Sequence, residues 1–225
     1  MIAFISNIFL LVEFFLSFCQ ALPGINDSNF EGKVEYSISY PNQRNKLSDH
    51  VTSKFVIYYK QGNIRKEYRN IKDSLLFYSI YLNDKNVNYG FTPGNDTITY
   101  YQPSAEMVDE SYRKVERSGN GNETVEEILG YKCLLYKVEM KYRDAPENEP
   151  SMKYLYYVSK KLKVRSKYLK GEGANFVFMP TGSIILKYII DVPVLKVVTA
   201  TQVSEEQPGD DLFEIDFRGK ILREL

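Results

Sequence analysis

The chain has 225 residues, with 29 Lys and Arg, 29 Asp and Glu and one histidine, so its formal net charge is zero. With neither a basic tail nor a basic stripe, that balance argues against a nucleic-acid partner. The aromatic content, 19 Tyr and 13 Phe with no Trp, suits strands whose side chains are apolar along the ring and polar at the tip.

Residues 2–18 are apolar apart from Ser6, Asn7, Glu13 and Ser17. Cys19-Gln20-Ala21 follows as a small-x-small cleavage pattern. This reads as a secretory signal peptide over residues 1–21, although no Lys or Arg precedes the apolar run. Phe18 stands where a lipidation motif needs a small residue, so lipidation of Cys19 is the minor alternative. Cleavage after Ala21 leaves one domain, residues 22–225, with Cys133 as its only cysteine and no internal disulfide. The expected location is periplasmic or secreted, in the cell envelope.

After a polar linker, Gly32 to Tyr40 reads as a strand, with Val34, Tyr36, Ile38 and Tyr40 on one face. A polar loop carries His50. Phe55 to Tyr59 and Ile64 to Arg69 form a hairpin around Gln61-Gly62-Asn63. Leu75 to Leu82 presents Leu76, Tyr78, Ile80 and Leu82 on its apolar face. It turns at Asn83-Asp84-Lys85-Asn86 into Val87 to Phe91, and Thr97 to Gln102 follows another turn.

Residues 103–122 are less regular: a helical turn near Ser104 to Met107, a strand at Arg113 to Arg117, then a Gly-Asn loop. The longest alternation follows the turn at Gly130, where Leu134, Tyr136, Val138, Met140 and Tyr142 alternate with Leu135, Lys137, Glu139 and Lys141. Tyr154 to Val158, Ile184 to Asp191 and Val194 to Val203 read as further strands. Val164 to Tyr168 reads as strand or short helix, Phe176 to Met179 as an apolar knot, and Asp210 or Asp211 as the cap of a short helical turn. The class is all-β: ten or eleven strands with a few short helices, in a sheet that must curl or close.

The residues for chemistry are sparse. His50 is the only candidate base and lies in a polar loop, where a solvated role is expected. A catalytic Cys133 would need that same histidine. Zinc would need several His or Cys ligands. The acidic pairs Asp109-Glu110 and Asp210-Asp211 lack the spacing of a calcium loop and read as solvated charges. Gly119-Asn120-Gly121 and Gly171-Glu172-Gly173 lack the rest of a phosphate loop and read as turns. Asn26, Asn95 and Asn122 lie in glycosylation sequons, which matter only in a eukaryotic secretory pathway. The expectation is no enzyme, no cofactor and no metal.

Three motifs carry a resemblance. Phe30-Glu31-Gly32-Lys33-Val34-Glu35-Tyr36 opens the mature chain, and Ile128-Leu129-Gly130-Tyr131-Lys132-Cys133 stands at its middle. A Thr- and Val-rich strand at Val197 to Val203 precedes Leu212-Phe213 near the end. In order and spacing the chain resembles a DUF4412-like family of secreted bacterial proteins with the lipoprotein-carrier fold of LolA and LolB. The ending, Ile215 to Lys220, departs from that pattern. The resemblance implies a single curved antiparallel half-barrel whose concave side is covered by short helices and loops, enclosing an apolar cavity. It also implies an envelope protein without catalysis.

The functional expectation is a protein that binds a hydrophobic ligand, an acyl chain or a lipoprotein lipid. The expected lining is Tyr36, Ile38, Tyr78, Ile80, Tyr136, Val138, Tyr156, Phe178 and Met179. Expected partners are that ligand or a lipidated protein, with transient membrane contact and a monomeric state. The alternative is a structural or protein-interaction module of the envelope with a filled core and no small-molecule ligand.

Overall fold

The computed structural model describes residues 29–41, 49–103, 112–118, 124–142, 146, 152–165, 182–191 and 195–225. Among these the chain is almost entirely strand. β1 is Gly32–Ser39, β2 Lys54–Lys60, β3 Asn63–Arg69, β4 Leu75–Leu82, β5 Val87–Phe91 and β6 Thr97–Tyr101. β7 is Tyr112–Ser118, β8 Thr124–Ile128, β9 Tyr131–Tyr142, β10 Met152–Lys163, β11 Ser183–Ile190, β12 Lys196–Ser204 and β13 Ile221–Glu224.

All 13 strands join one sheet, in the order β13-β6-β5-β4-β3-β2-β1-β12-β11-β10-β9-β7, with β8 beside the first part of β9. The sheet is therefore larger than the ten or eleven strands expected. Every described strand pairing is antiparallel except β13 on β6, and an isolated parallel bridge joins Asn29 to Lys163. The half-barrel follows from the local signals. Alternation sets each strand, and residues tolerant of positive φ set the hairpins. Gln61 and Gly62 both have positive φ at the β2–β3 turn, with values of 50° and 81°.

The sheet is curled, and the curl fixes which face is inside. β3 and β11 stand four strand spacings apart in the order, about 19 Å on a flat sheet at ~4.8 Å per spacing. Yet Tyr68 of β3 and Tyr188 of β11 line one small cavity. The β2–β3 turn also meets the chain just past β10: a Cβ on Gly62 would stand 2.6 Å from the Arg165 carbonyl oxygen. The inner face is thus the one carrying Val34, Tyr36 and Ile38 of β1, Phe55, Ile57 and Tyr59 of β2, Ile64 and Tyr68 of β3, and Val198 and Ala200 of β12.

The outer face of β3–β6 has its own apolar layer. Tyr78, Ile80, Phe91, Tyr89 and Ile98 lie there, and the stretch from Pro208 to Phe217 crosses over it. Arg65 donates to the Leu212 carbonyl oxygen at 2.9 Å and Lys60 to that of Pro208 at 2.8 Å. Phe213 is buried, and the Phe217 ring meets Tyr89 edge-on with centroids 5.5 Å apart. The chain then pairs as β13 in parallel with β6. The short helices expected over the concave side do not occur among the described residues. The one helical turn among the described residues, a 3-10 turn at Asp210–Phe213, belongs to this outer strap. Its cap is Gly209, without a side-chain bond, and not Asp210 or Asp211, which both fall inside the first turn.

Candidate functional site

The inner face is organised as a run of rings. Tyr36 stacks on Phe55 with centroids 4.5 Å apart and planes at 16°. Phe55 meets Tyr68 at 5.8 Å and Tyr68 meets Phe77 at 5.7 Å, so the series crosses β1 to β4. A second group lies on the far side of the curl, with Tyr154 and Tyr156 at 5.8 Å and Tyr156 and Tyr188 at 6.2 Å. Directly opposed residues of neighbouring strands are close enough for such contacts, and each pair adds about 0.5–1.5 kcal/mol beyond its burial.

One hydrogen bond ties the two halves together. Tyr36 on β1 donates its phenol to the Ile185 carbonyl oxygen on β11 at 2.8 Å, passing over β12. Ala200 stands opposite Tyr36 in the β1–β12 register, and its small side chain leaves the phenol room to cross. Burial pushes the ionisation of Tyr36 well above the usual tyrosine range.

Between the two aromatic groups lies a cavity of about 220 Å³. Ile38 and Phe55 form its buried floor. Tyr40, Tyr68 and Tyr188, half-buried, form its walls. Thr52 and Lys196, also half-buried, complete the lining. This volume is above the ~150 Å³ that suffices for an apolar cavity to take a benzene-sized guest. Burial raises the phenols of Tyr40 and Tyr188 and lowers the ammonium of Lys196.

The structure sorts the residues expected to line a ligand site. Ile38 lines the cavity, and Tyr36 lies beside it on Phe55. Tyr156 is buried next to Tyr188, and Tyr136 is half-buried and paired with Tyr156. Tyr78 and Ile80 lie on the outer face instead. Tyr78 stacks on Phe91 at 4.6 Å beneath the Arg65 guanidinium, and Ile80 is 1% exposed in the layer under the C-terminal strap. Both faces of β4 are apolar, with Phe77 and Tyr81 on one and Tyr78 and Ile80 on the other, so alternation alone could not choose between them. The backbone of Val138 pairs with Tyr154. Phe178 and Met179 lie outside the described residues.

Sequence reasoning missed Tyr40, Thr52, Phe55, Tyr68, Tyr188 and Lys196. The signal present was the period-two phase of β1: Tyr40 continues the series Val34, Tyr36, Ile38. Thr52 and Lys196, at or beyond strand ends, carried none.

The other chemistry-bearing residues resolve simply. His50 is exposed in a turn. Cys133 is completely buried, and burial pushes its thiol up to about 11. Asp210 is exposed and pairs with Lys60 at 2.7 Å. Asp109 and Glu110 lie outside the described residues. Among the described residues no three His, Cys, Asp or Glu side chains gather as a metal site would require, and no helix is long and apolar enough to cross a membrane. No protein-family model matches the chain, and no curated protein matches it.

Proposed function

We propose that the chain is a non-enzymatic exported protein of the cell envelope that holds an apolar ligand, such as an acyl chain, in the inner-face cavity. The observation that carries this reading is the cavity itself: about 220 Å³ of space on the inner face, ringed by Ile38, Phe55, Tyr68 and Tyr188. Ligand sites are concave and combine apolar walls with a few polar groups that fix orientation, and this cleft joins Ile38, Phe55 and three tyrosine rings to Thr52 and Lys196. The buried Cys133 supports a role in binding over one in catalysis, because a thiol raised to about 11 is a poor source of the nucleophilic thiolate at neutral pH. Export rests on the apolar leader and the small-x-small site ending at Ala21.

The test is titration of the full chain with a fluorescent fatty acid. Saturable uptake with emission of a dry environment is expected, displaced by an unlabelled fatty acid. Absence of saturable uptake would count against the ligand-binding reading.

One observation favours the envelope interaction module as a second reading. β13 is the last strand on its side of the described sheet order, and Ile221, Leu222 and Leu225 are 64%, 52% and 73% exposed. Exposed strand edges of this kind pair readily with another chain.

A further inference from the structure

Lys196 stands apart from the other shielded lysines. Lys60 pairs with Asp210 at 2.7 Å, Lys187 with Glu126 at 2.8 Å and Lys33 with Glu35 at 2.9 Å. Lys196 is half-buried at the start of β12, opposite Ile190, and its ammonium meets no carboxylate, carbonyl oxygen or aromatic ring among the described residues. Asp191, next to that pair, forms no ion pair with it. The lysine lines the cavity alongside the phenols of Tyr40, Tyr68 and Tyr188. Removing an ammonium from water without a counter-charge is unfavourable. Burial accordingly pulls Lys196 below the ordinary lysine range, with no acidic neighbour acting against it.

We propose that the inner-face cavity takes a medium-chain carboxylate, with its alkyl body against Ile38, Phe55 and Tyr68 and its anionic head on the Lys196 ammonium. The size follows from the space. About 220 Å³ exceeds the ~150 Å³ that holds a benzene-sized guest, which suits a chain of medium length such as octanoate. The charge follows from a cation that meets no counter-charge among the described residues, which a carboxylate would satisfy and an alcohol would not. This inference rests on the ligand-binding reading and adds the head group to it.

The experiment compares octanoate with 1-octanol by calorimetric titration of the full chain at pH 7, in the parent and in Lys196→Met and Lys196→Arg. A charge-assisted hydrogen bond predicts that the parent favours octanoate by about 10- to 100-fold. Lys196→Met should lose that margin and keep its affinity for octanol, which shows that the cavity persists, and Lys196→Arg should restore octanoate. Equal affinities in the parent, or octanoate binding unchanged in Lys196→Met while octanol still binds, overturn the head-group inference and leave an apolar site standing. Binding of neither probe by the parent overturns both.

Discussion

Replacing Tyr36 by Phe removes one oxygen from a ring that is 3% exposed. The stack on Phe55 at 4.5 Å survives, because the ring is unchanged. What disappears is the 2.8 Å bond from β1 to the Ile185 carbonyl oxygen on β11, together with the contact of the phenol with the Tyr59 hydroxyl on β2. A net hydrogen bond contributes about 0.5–1.5 kcal/mol, and a buried acceptor left without its donor costs about 1–3 kcal/mol. The expected loss is therefore about 1–2 kcal/mol, or about 2–8 °C in Tm for a chain of this size. Urea denaturation should show a lower midpoint with an unchanged slope, since the surface exposed on unfolding is the same. Tyr100 supplies the control, because its hydroxyl makes only an exposed 3.5 Å contact with Glu224, and Tyr100→Phe should cost less than about 0.5 kcal/mol. Ala200→Leu should obstruct the path of the phenol, so Tyr36→Phe in that background should cost little more. If Tyr36→Phe costs no more than Tyr100→Phe, the phenol does not join the two halves of the sheet and the reasoning fails.

Three further outcomes follow from the same structure. Phe213→Ala, which empties a buried site under the outer strap, should cost about 3–5 kcal/mol by denaturation yet leave fatty-acid binding on the inner face intact wherever the chain is still folded. Alkali should destabilise the fold: the Tyr36 and Tyr188 phenols hold their protons in the native state beyond the ordinary value of 10.0, so above that pH the unfolded chain releases protons that the native chain keeps. Stability then falls as pH rises past 10, and the fall measured by urea titration should be shallower in Tyr188→Phe. In a Cys19→Ser background, Cys133 should resist a disulfide reagent at pH 8 and react only as fast as the chain opens; fast labelling of native protein would contradict its burial and raised ionisation.

The strands were legible where local signals were strong. Leu75–Leu82 and Val87–Phe91 match the expected bounds because an Asn- and Asp-rich turn separates two apolar runs. Elsewhere tertiary context decided. β10 continues to Lys163 through Ser159-Lys160-Lys161, which reads as polar; the Ser159 hydroxyl accepts from the Lys161 and Leu162 N–H groups and carries the chain through the irregularity. β13 left no trace because four residues, all exposed, gain their order from parallel pairing with β6, more than a hundred residues earlier. The site was half legible for a related reason. Alternation tells which residues share a face, but the direction of curl tells which face is inside, and curl arises from contacts between strands as distant as β3 and β11. Of the expected lining, Ile38 therefore lies on the cavity, Tyr36 and Tyr156 only in ring contact with residues that line it, and Tyr78 and Ile80 on the other face.

The central claim is that the space between Phe55, Tyr68 and Tyr188 is a ligand site, and Thr52→Phe tests it most directly. Thr52 lines the cavity, so a ring there has about 220 Å³ to enter. If the space is open, the variant should lose less than about 0.5 kcal/mol in urea denaturation, against about 1–3 kcal/mol for an overpacked core, and should no longer take up the fluorescent fatty acid that the parent binds. A large loss of stability, or a stable variant that binds the probe as the parent does, would contradict the account.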